Sequence, residues 1–448
     1  MTAALAPART ARPAASGAGR ATPGPRPPGG AALDAWVHTQ AVNLGRHARS
    51  LRAFTADEFG SGPSAPSAAH IRAVNGFIAG LRAHLEEATR WVDAAAAAAR
   101  RSPSDRHLRA LLERKDRVAA QVLYVEGIFD FYFDLFVQRL SSFGERLRAV
   151  DRIAANCYED VYTGLGGSAR PTPALLPFSY ADSGFSPSTF RRGVPLAKLR
   201  HHPNLFPLIV IPQHRLDNVW ALSSVLHEVS HNLQADLGLW QVMPRLLHTR
   251  MTEEAGLPDE VGRTWARWHK EATADLFALL LGGPAAVESL MDVVGRSRPA
   301  TVTFSPAGVH PTPYLRVLLS LVLLRRMGFP ERADALEATW RRLYPRVGPD
   351  DIPAELLRTF PRAAACAVDT VCFRRHPQLG GEPLARLLPF GREEEALVEQ
   401  AARRLARGED PGSTPIRFMV SAARHALDRR LAAPQTLTDN FYRTLGRR

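Results

Sequence analysis

Two histidines four residues apart, with a glutamate directly after the first, stand in the run Val225-Leu226-His227-Glu228-Val229-Ser230-His231. On a helix, side chains four apart share a face. Both imidazoles can then direct a ring nitrogen at one metal ion, with Zn2+ the expected one. Glu228 is offset around the helix from His227, where it can reach a metal-held water and take its proton. The chemistry such a trio performs is metal-assisted hydrolysis.

Two histidines do not complete such a site, because a catalytic zinc takes three protein ligands and keeps one position open. Forty residues on, Trp268-His269-Lys270-Glu271-Ala272-Thr273-Ala274-Asp275 puts Glu271 and Asp275 on one helical face. Glu271 is the expected third ligand. Asp275 is the expected acceptor for the free N–H of a ligand histidine, which fixes the tautomer of that ring. His269 competes as a ligand but points off the Glu271 face. The alternative is that the two acids are solvated opposite Arg263 and Arg267. A third run is His310-Pro311-Thr312-Pro313-Tyr314-Leu315-Arg316. On a loop entering a helix, His310 can donate to a developing oxyanion or merely cap that helix. Tyr314, His214 and Tyr180 are alternative donors. Arg316 suits a two-pronged grip on a carboxylate, and Asp275 is the better candidate if Glu271 is committed to metal.

These residues need helices to hold them. Apolar spacing predicts one over about Asp217 to Leu237, another over about Asp259 to Leu281, and further helices near Tyr314–Met327 and Glu331–Tyr344. The small residues Ala272, Thr273 and Ala274 allow the second to pack closely on the first. The run Leu208 to Ile211 reads as a strand, and its bounding Pro207 and Pro212 suggest a sheet edge lying along the cleft. Upstream, helices are expected over Ala32–Thr55, Ala68–Arg101 and from Asp105 toward Tyr162. The aromatics Phe129, Phe131, Tyr132, Phe133 and Phe136 are expected to pack inward, with a ligand-binding patch the alternative.

Composition narrows the class. The chain has 448 residues, of which 45% are hydrophobic, enough to fill a sizeable core. Three cysteines, Cys157, Cys366 and Cys372, exclude a disulfide scaffold and a cysteine-built metal cluster. No apolar run reaches the length of a membrane span. No continuous apolar run precedes a processing site, so the expected location is the cytoplasm. Net charge is +13, carried by three lysines and 54 arginines dispersed along the chain. Without a basic block interleaved with aromatics, this excess argues against a nucleic-acid partner. Residues 1–30 hold six prolines, five glycines, four arginines and no acid.

The three runs together resemble the gluzincin-type zinc metallopeptidases, and specifically the Ste24/HtpX-like family. That family pairs His-Glu-x-x-His with Glu-x-x-Ala-Asp and a later His-Pro-x-x-x-x-Arg. His227, Glu228 and His231 match the first element, Glu271, Ala274 and Asp275 the second, and His310, Pro311 and Arg316 the third. The resemblance implies zinc on His227, His231 and Glu271, Glu228 as catalytic base and His310 beside the active site. It covers about residues 205–320. Ser230 replaces the glycine usual before the second histidine, and the membrane helices of the family's membrane-embedded members have no counterpart.

The expected fold is mainly α, a zincin-like metallopeptidase core with a small β element and a helical N-terminal region. The expected organisation is a disordered Pro/Gly/Ala/Arg-rich tail over 1–31, a helical domain over 32–163, the metal-binding domain over 164–349 and a helical region over 350–448. The expected partner is a peptide or protein substrate, with the N-terminal helices available to a further protein partner. A non-catalytic scaffold that keeps the fold is the alternative, against which the intact Glu228 argues.

Overall fold

The computed structural model describes residues 30–166 and 171–447. The expected tail lies outside these residues as far as residue 29. Its last two positions, Gly30 and Ala31, instead open the first helix, α1 (Gly30–Ser50). Two long helices follow, α2 (Ala68–Arg101) and α3 (Asp105–Val137), and then α4 (Gly144–Gly164). The expected single helix from Asp105 toward Tyr162 is thus two. A tight corner at Gln138–Gly144 parts them, where a side chain at Gly144 would strike the Arg139 carbonyl. Arg139 is buried in this corner, pairing with Asp151 at 2.6 Å and donating to the Ser179 carbonyl at 2.6 Å.

The chain forms two compact units, and the division runs through α2 and α3 rather than at residue 163. One unit comprises the described part of Met1–Ser50 with Ala83–Val122, and the other Leu51–Arg82 with Leu123–Arg448. The first is all helix. Val37 and Leu44 of α1, Leu85, Val92 and Ala99 of α2, and Leu111 and Val118 of α3 are buried in it. Arg100 pairs with Asp34 at 2.9 Å, and Lys115 donates to Gln40 at 2.6 Å.

The second unit is built around a three-stranded sheet of β1 (Phe178–Asp182), β2 (Ser188–Phe190) and β3 (Leu208–Pro212), in the order β1-β3-β2. Strand β3 runs parallel to β1 and antiparallel to β2. The Leu208–Ile211 run is therefore the central strand, correcting the expectation of an edge along the cleft. Its prolines sit at the ends of the ladder and keep their carbonyls, as where Pro207 accepts from the Phe178 N–H at 2.9 Å. The edge is the short β2. Alternation along β3 divides two cores. Leu208 and Val210 face an aromatic cluster with Phe54, Phe59, Tyr132, Phe136, Phe178 and Phe206. Ile209 and Ile211 join the larger helical core.

That larger core is closed by helices. A short α5 (Gln213–Asp217) and a 3-10 turn at Val219–Ser223 lead into α6 (Ser224–Asp236), so the helix expected from Asp217 to Leu237 is broken at its start. Then come α7 (Leu239–Thr249), α8 (Asp259–Gly282), α9 (Pro284–Val294), α10 (Arg298–Val302), α11 (Pro313–Arg326) and α12 (Pro330–Leu343). The remainder is α13 (Ala354–Val368), a two-stranded ribbon of β4 (Arg375–His376) and β5 (Glu382–Pro383), and α14 (Leu384–Leu387), α15 (Arg392–Arg407), α16 (Phe418–Asp428) and α17 (Pro434–Arg447). The fold is mainly helical with a small mixed sheet. Among the described residues, no helix is long and apolar enough to cross a membrane.

Candidate active site

Helices α6 and α8 carry the chemistry because they approach closely. Val225, Leu226, Val229 and Leu233 bury one side of α6. Ala272, Thr273 and Ala274 are buried along α8, and a side chain at Gly282 would collide with Leu226. The Gln234 amide donates to the Lys270 carbonyl at 3.1 Å, fixing the axial register of the pair. Ser230, where a glycine was expected from the resemblance, turns its hydroxyl back onto the Leu226 carbonyl at 2.7 Å and satisfies itself within the helix.

This packing brings His227, His231 and Glu271 together. Their donor atoms stand 3.1 Å apart for the two Nε2 atoms, 3.4 Å for His227 Nε2 to Glu271 Oε2 and 3.6 Å for His231 Nε2 to Glu271 Oε2. A tetrahedral zinc with bonds of about 2.0–2.2 Å has edges of roughly 3.3–3.6 Å. The two histidine–glutamate separations fall in that range and the Nε2–Nε2 edge is about 0.2 Å shorter, so the three atoms lie close to one face of that tetrahedron, and the donor set suits zinc. Electrostatics agree. Burial opposes charge on His227, but Asp275 and Glu271 outweigh it and raise this imidazole to about 10. Burial also opposes charge on Glu271, and hydrogen bonds from both histidines override it and hold the carboxyl well below its ordinary range. The pocket favours a cation.

Asp275 lies behind His227 and accepts from Nδ1 at 2.9 Å, leaving Nε2 to face the cleft. Arg316, from α11, reaches the same carboxylate with Nε and Nη2, each at 2.7 Å. Glu228 is buried on the cleft wall. Its carboxyl is raised by burial, against the pull of His227 and His231. The loop before α11 is tied to α8 where Arg267 donates to the Gly308 carbonyl at 3.2 Å. It presents His310 with Nε2 3.3 Å from Glu271 Oε1, the oxygen turned away from the histidine pair.

The competing assignments fall elsewhere. His269 bonds the Ala266 carbonyl at 2.8 Å and sets its ring against Trp240, apart from the three donor atoms. Arg263 pairs with Asp259, not with Glu271. Tyr314 is buried beside Trp340 and accepts from Arg341 at 3.2 Å. Of His310, Tyr314, His214 and Tyr180, His310 is the one that lines the cleft.

The cleft encloses about 520 Å³. One wall is the edge strand β2, held to α6 where Asn232 donates to the Thr189 hydroxyl at 2.8 Å. Another is apolar, with Leu279, Val287, Leu290 and Val293. Among the lining residues are three, Trp240, Arg191 and Lys270, to which sequence reasoning assigned no role. The Arg191 guanidinium lies 3.6 Å over the Trp240 ring and the Lys270 ammonium 5.9 Å from it.

His-Glu-x-x-His with a distal glutamate, folded so that the three ligands and the base share one cleft, is the catalytic arrangement of the zincin class and defines a zinc metallopeptidase site. No protein-family profile matches the chain, and neither a curated protein nor a solved structure matches it.

Proposed function

We propose that the protein cleaves peptide bonds within extended segments laid along the edge of β2, with the site organised as in the Ste24/HtpX-like peptidases. The observation that carries this reading is the face-of-a-tetrahedron spacing of His227, His231 and Glu271 beside a buried Glu228. The order of the three motifs supports the finer comparison, and the Arg316–Asp275 pair gives its His-Pro-x-x-x-x-Arg element a structural task.

His227, His231 and Glu271 would hold the zinc. When bound, the ion supplies Lewis acidity to the scissile carbonyl and to water. The rest is the work of the chain. Strand β2 pairs with β3 on one side only, so its outer edge offers main-chain hydrogen bonds to an extended peptide. Burial raises the affinity of Glu228 for a proton, suiting it to take one from the attacking water and deliver it to the leaving amine. His310, which lines the cleft beside Glu271, would donate to the carbonyl oxygen as it gains charge. Asp275 keeps His227 in the tautomer whose Nε2 faces the cleft.

The test is metal analysis joined to peptide cleavage. Purified protein is expected to carry about one zinc per chain. Glu228→Gln is expected to keep that zinc and to lose about 10²-fold or more in turnover. Full activity after zinc is stripped, or in Glu228→Gln, would overturn the reading.

A further inference from the structure

The cleft contains two cations that the hydrolytic machinery does not use. Arginine elsewhere in this unit is commonly paired with acid: Arg192, next in sequence to Arg191, lies 3.7 Å from Asp236 and donates to the Leu175 carbonyl at 2.6 Å. Arg191 is different. Its guanidinium rests on the Trp240 indole, and among the described residues no carboxylate lies within ion-pair distance of it or of Lys270. The acids that line the cleft have other tasks. Glu271 faces the histidines, Asp275 is gripped by Arg316, and Glu228 is the proposed base.

Position makes this pair informative. Arg191 directly follows Phe190, the last residue of the edge strand. Lys270 directly precedes Glu271 on α8. Trp240 also meets the ring of His231 edge-on, with centroids 6.1 Å apart. Both cations therefore line the same cleft as the three donor atoms, with the Trp240 ring between them and His231. Both are half-buried. Burial draws the Arg191 guanidinium below its usual affinity for a proton, with no carboxylate to offset the cost. A guanidinium held 3.6 Å over an indole has lost much of its rotamer freedom before any ligand arrives. An incoming carboxylate would meet a pre-oriented donor fork with an ammonium nearby, the arrangement that makes charge-assisted hydrogen bonds strong.

We propose that Arg191 and Lys270, arrayed on Trp240, form a carboxylate-recognition site that directs the cleft toward acidic peptides. This rests on the peptidase reading and adds a substrate class to it. The carboxylate comes from an aspartate or glutamate side chain near the scissile bond, or from a free C-terminus.

The experiment measures binding and cleavage separately. Decapeptides of alanine and leucine bearing a neutral nitrobenzoxadiazole label and a C-terminal amide carry one glutamate stepped through each position, each paired with its glutamine counterpart. A set without ionisable side chains is made as C-terminal acid and as amide. Binding is read by anisotropy on full-length, zinc-loaded Glu228→Gln protein. The carboxylate member of a pair is expected to bind about 10- to 100-fold tighter, the worth of a hydrogen bond between charged groups. The position at which this occurs separates a side chain from a C-terminus. Adding Arg191→Gln or Lys270→Gln, each checked for an unchanged melting temperature, is expected to remove most of the preference. Arg191→Glu is expected to turn it toward lysine peptides. Equal affinities within every pair, no measurable binding of any carboxylate peptide, or a preference that survives both glutamine variants would overturn the assignment. Cleavage of the same peptides by the wild-type chain keeps the two ideas apart. Charge-dependent binding without cleavage sinks the peptidase reading alone, and charge-blind cleavage sinks the carboxylate site alone.

Discussion

Asp275 and Arg316 meet through two parallel hydrogen bonds of 2.7 Å, with the carboxylate side chain 2% exposed and the guanidinium side chain 11% exposed. Burial by itself would push the Asp275 carboxyl up, but the Arg316 charge, joined by His227, outweighs it and holds the group below its ordinary value. The pair is therefore a compensated buried charge. Removing one partner should be far worse than removing both. Arg316→Ala is expected to lower unfolding free energy by about 3–5 kcal/mol, the usual cost of stranding a buried ion. The double variant Arg316→Ala/Asp275→Ala should recover part of that loss. Denaturant titration of the three proteins decides it. A single variant as stable as the wild type would mean that Asp275 finds another partner.

The same carboxylate also meets His227, one of the three proposed zinc ligands. Asp275 Oδ1 accepts from His227 Nδ1 at 2.9 Å, so Asp275→Asn changes the acceptor without changing its size. Loss of such a partner typically weakens metal affinity by about 10- to 100-fold. Competition against a zinc-chelating dye should show that drop while saturating zinc still fills the site. His231→Ala, which removes a ligand outright, should instead lose zinc at any practical concentration. If Asp275→Asn binds zinc as tightly as the wild type, the contact does not govern the ligand.

Much of this site was legible in the sequence because it is helical. Spacings of four place His227 with His231, and Glu271 with Asp275, on common faces whatever surrounds them, and the small residues from Ala272 to Ala274 announce a close helix contact. The sheet was not legible in the same way. Ser188-Thr189-Phe190 is too short to show alternation, so nothing in the sequence marks it as the edge strand. The prolines bounding Leu208–Ile211 argued for an edge although they lie at the ends of a central strand. Trp240, Arg191 and Lys270 come from α7, the segment after β2, and α8. Nothing local in the chain says that these segments converge. The corner at Gln138–Gly144 was hidden because the apolar pattern on either side of it continues.

His310 and Glu271 offer a separate test of what acts only during reaction. The His310 side chain is 59% exposed, and its Nε2 is 3.3 Å from Glu271 Oε1. Deleting an exposed ring should cost little stability, and the three ligand atoms do not include it. His310→Ala is expected to keep zinc content and melting temperature and to lose about 10²-fold in kcat with little change in KM, as for an oxyanion donor that acts in the transition state. A variant that keeps full turnover would place this loop outside the chemistry. One that loses zinc would make His310 a support of Glu271 instead.

The last expectation concerns pH and lies away from the cleft. Glu395 and Glu399 stand one turn apart on α15. Burial, and then the neighbouring Glu288 and Glu399 carboxylates, push Glu395 up to about 7 from an ordinary 4.5, while Arg332 pulls the other way. The folded chain therefore binds this proton more tightly than the unfolded chain. Its contribution to stability is complete below about pH 4.5 and is lost as pH rises through 7. Glu395→Gln keeps the shape of the protonated acid and cannot ionise. It should leave stability nearly unchanged near pH 4.5 and raise it by up to roughly 3 kcal/mol at pH 8, from 1.36 kcal/mol for each unit of pKa. Urea titrations of wild type and variant at several pH values in that span would show the gap opening with pH. A gain of the same size at every pH would assign it to packing, and a loss at pH 8 would mean that the Glu395 charge is stabilised where it stands.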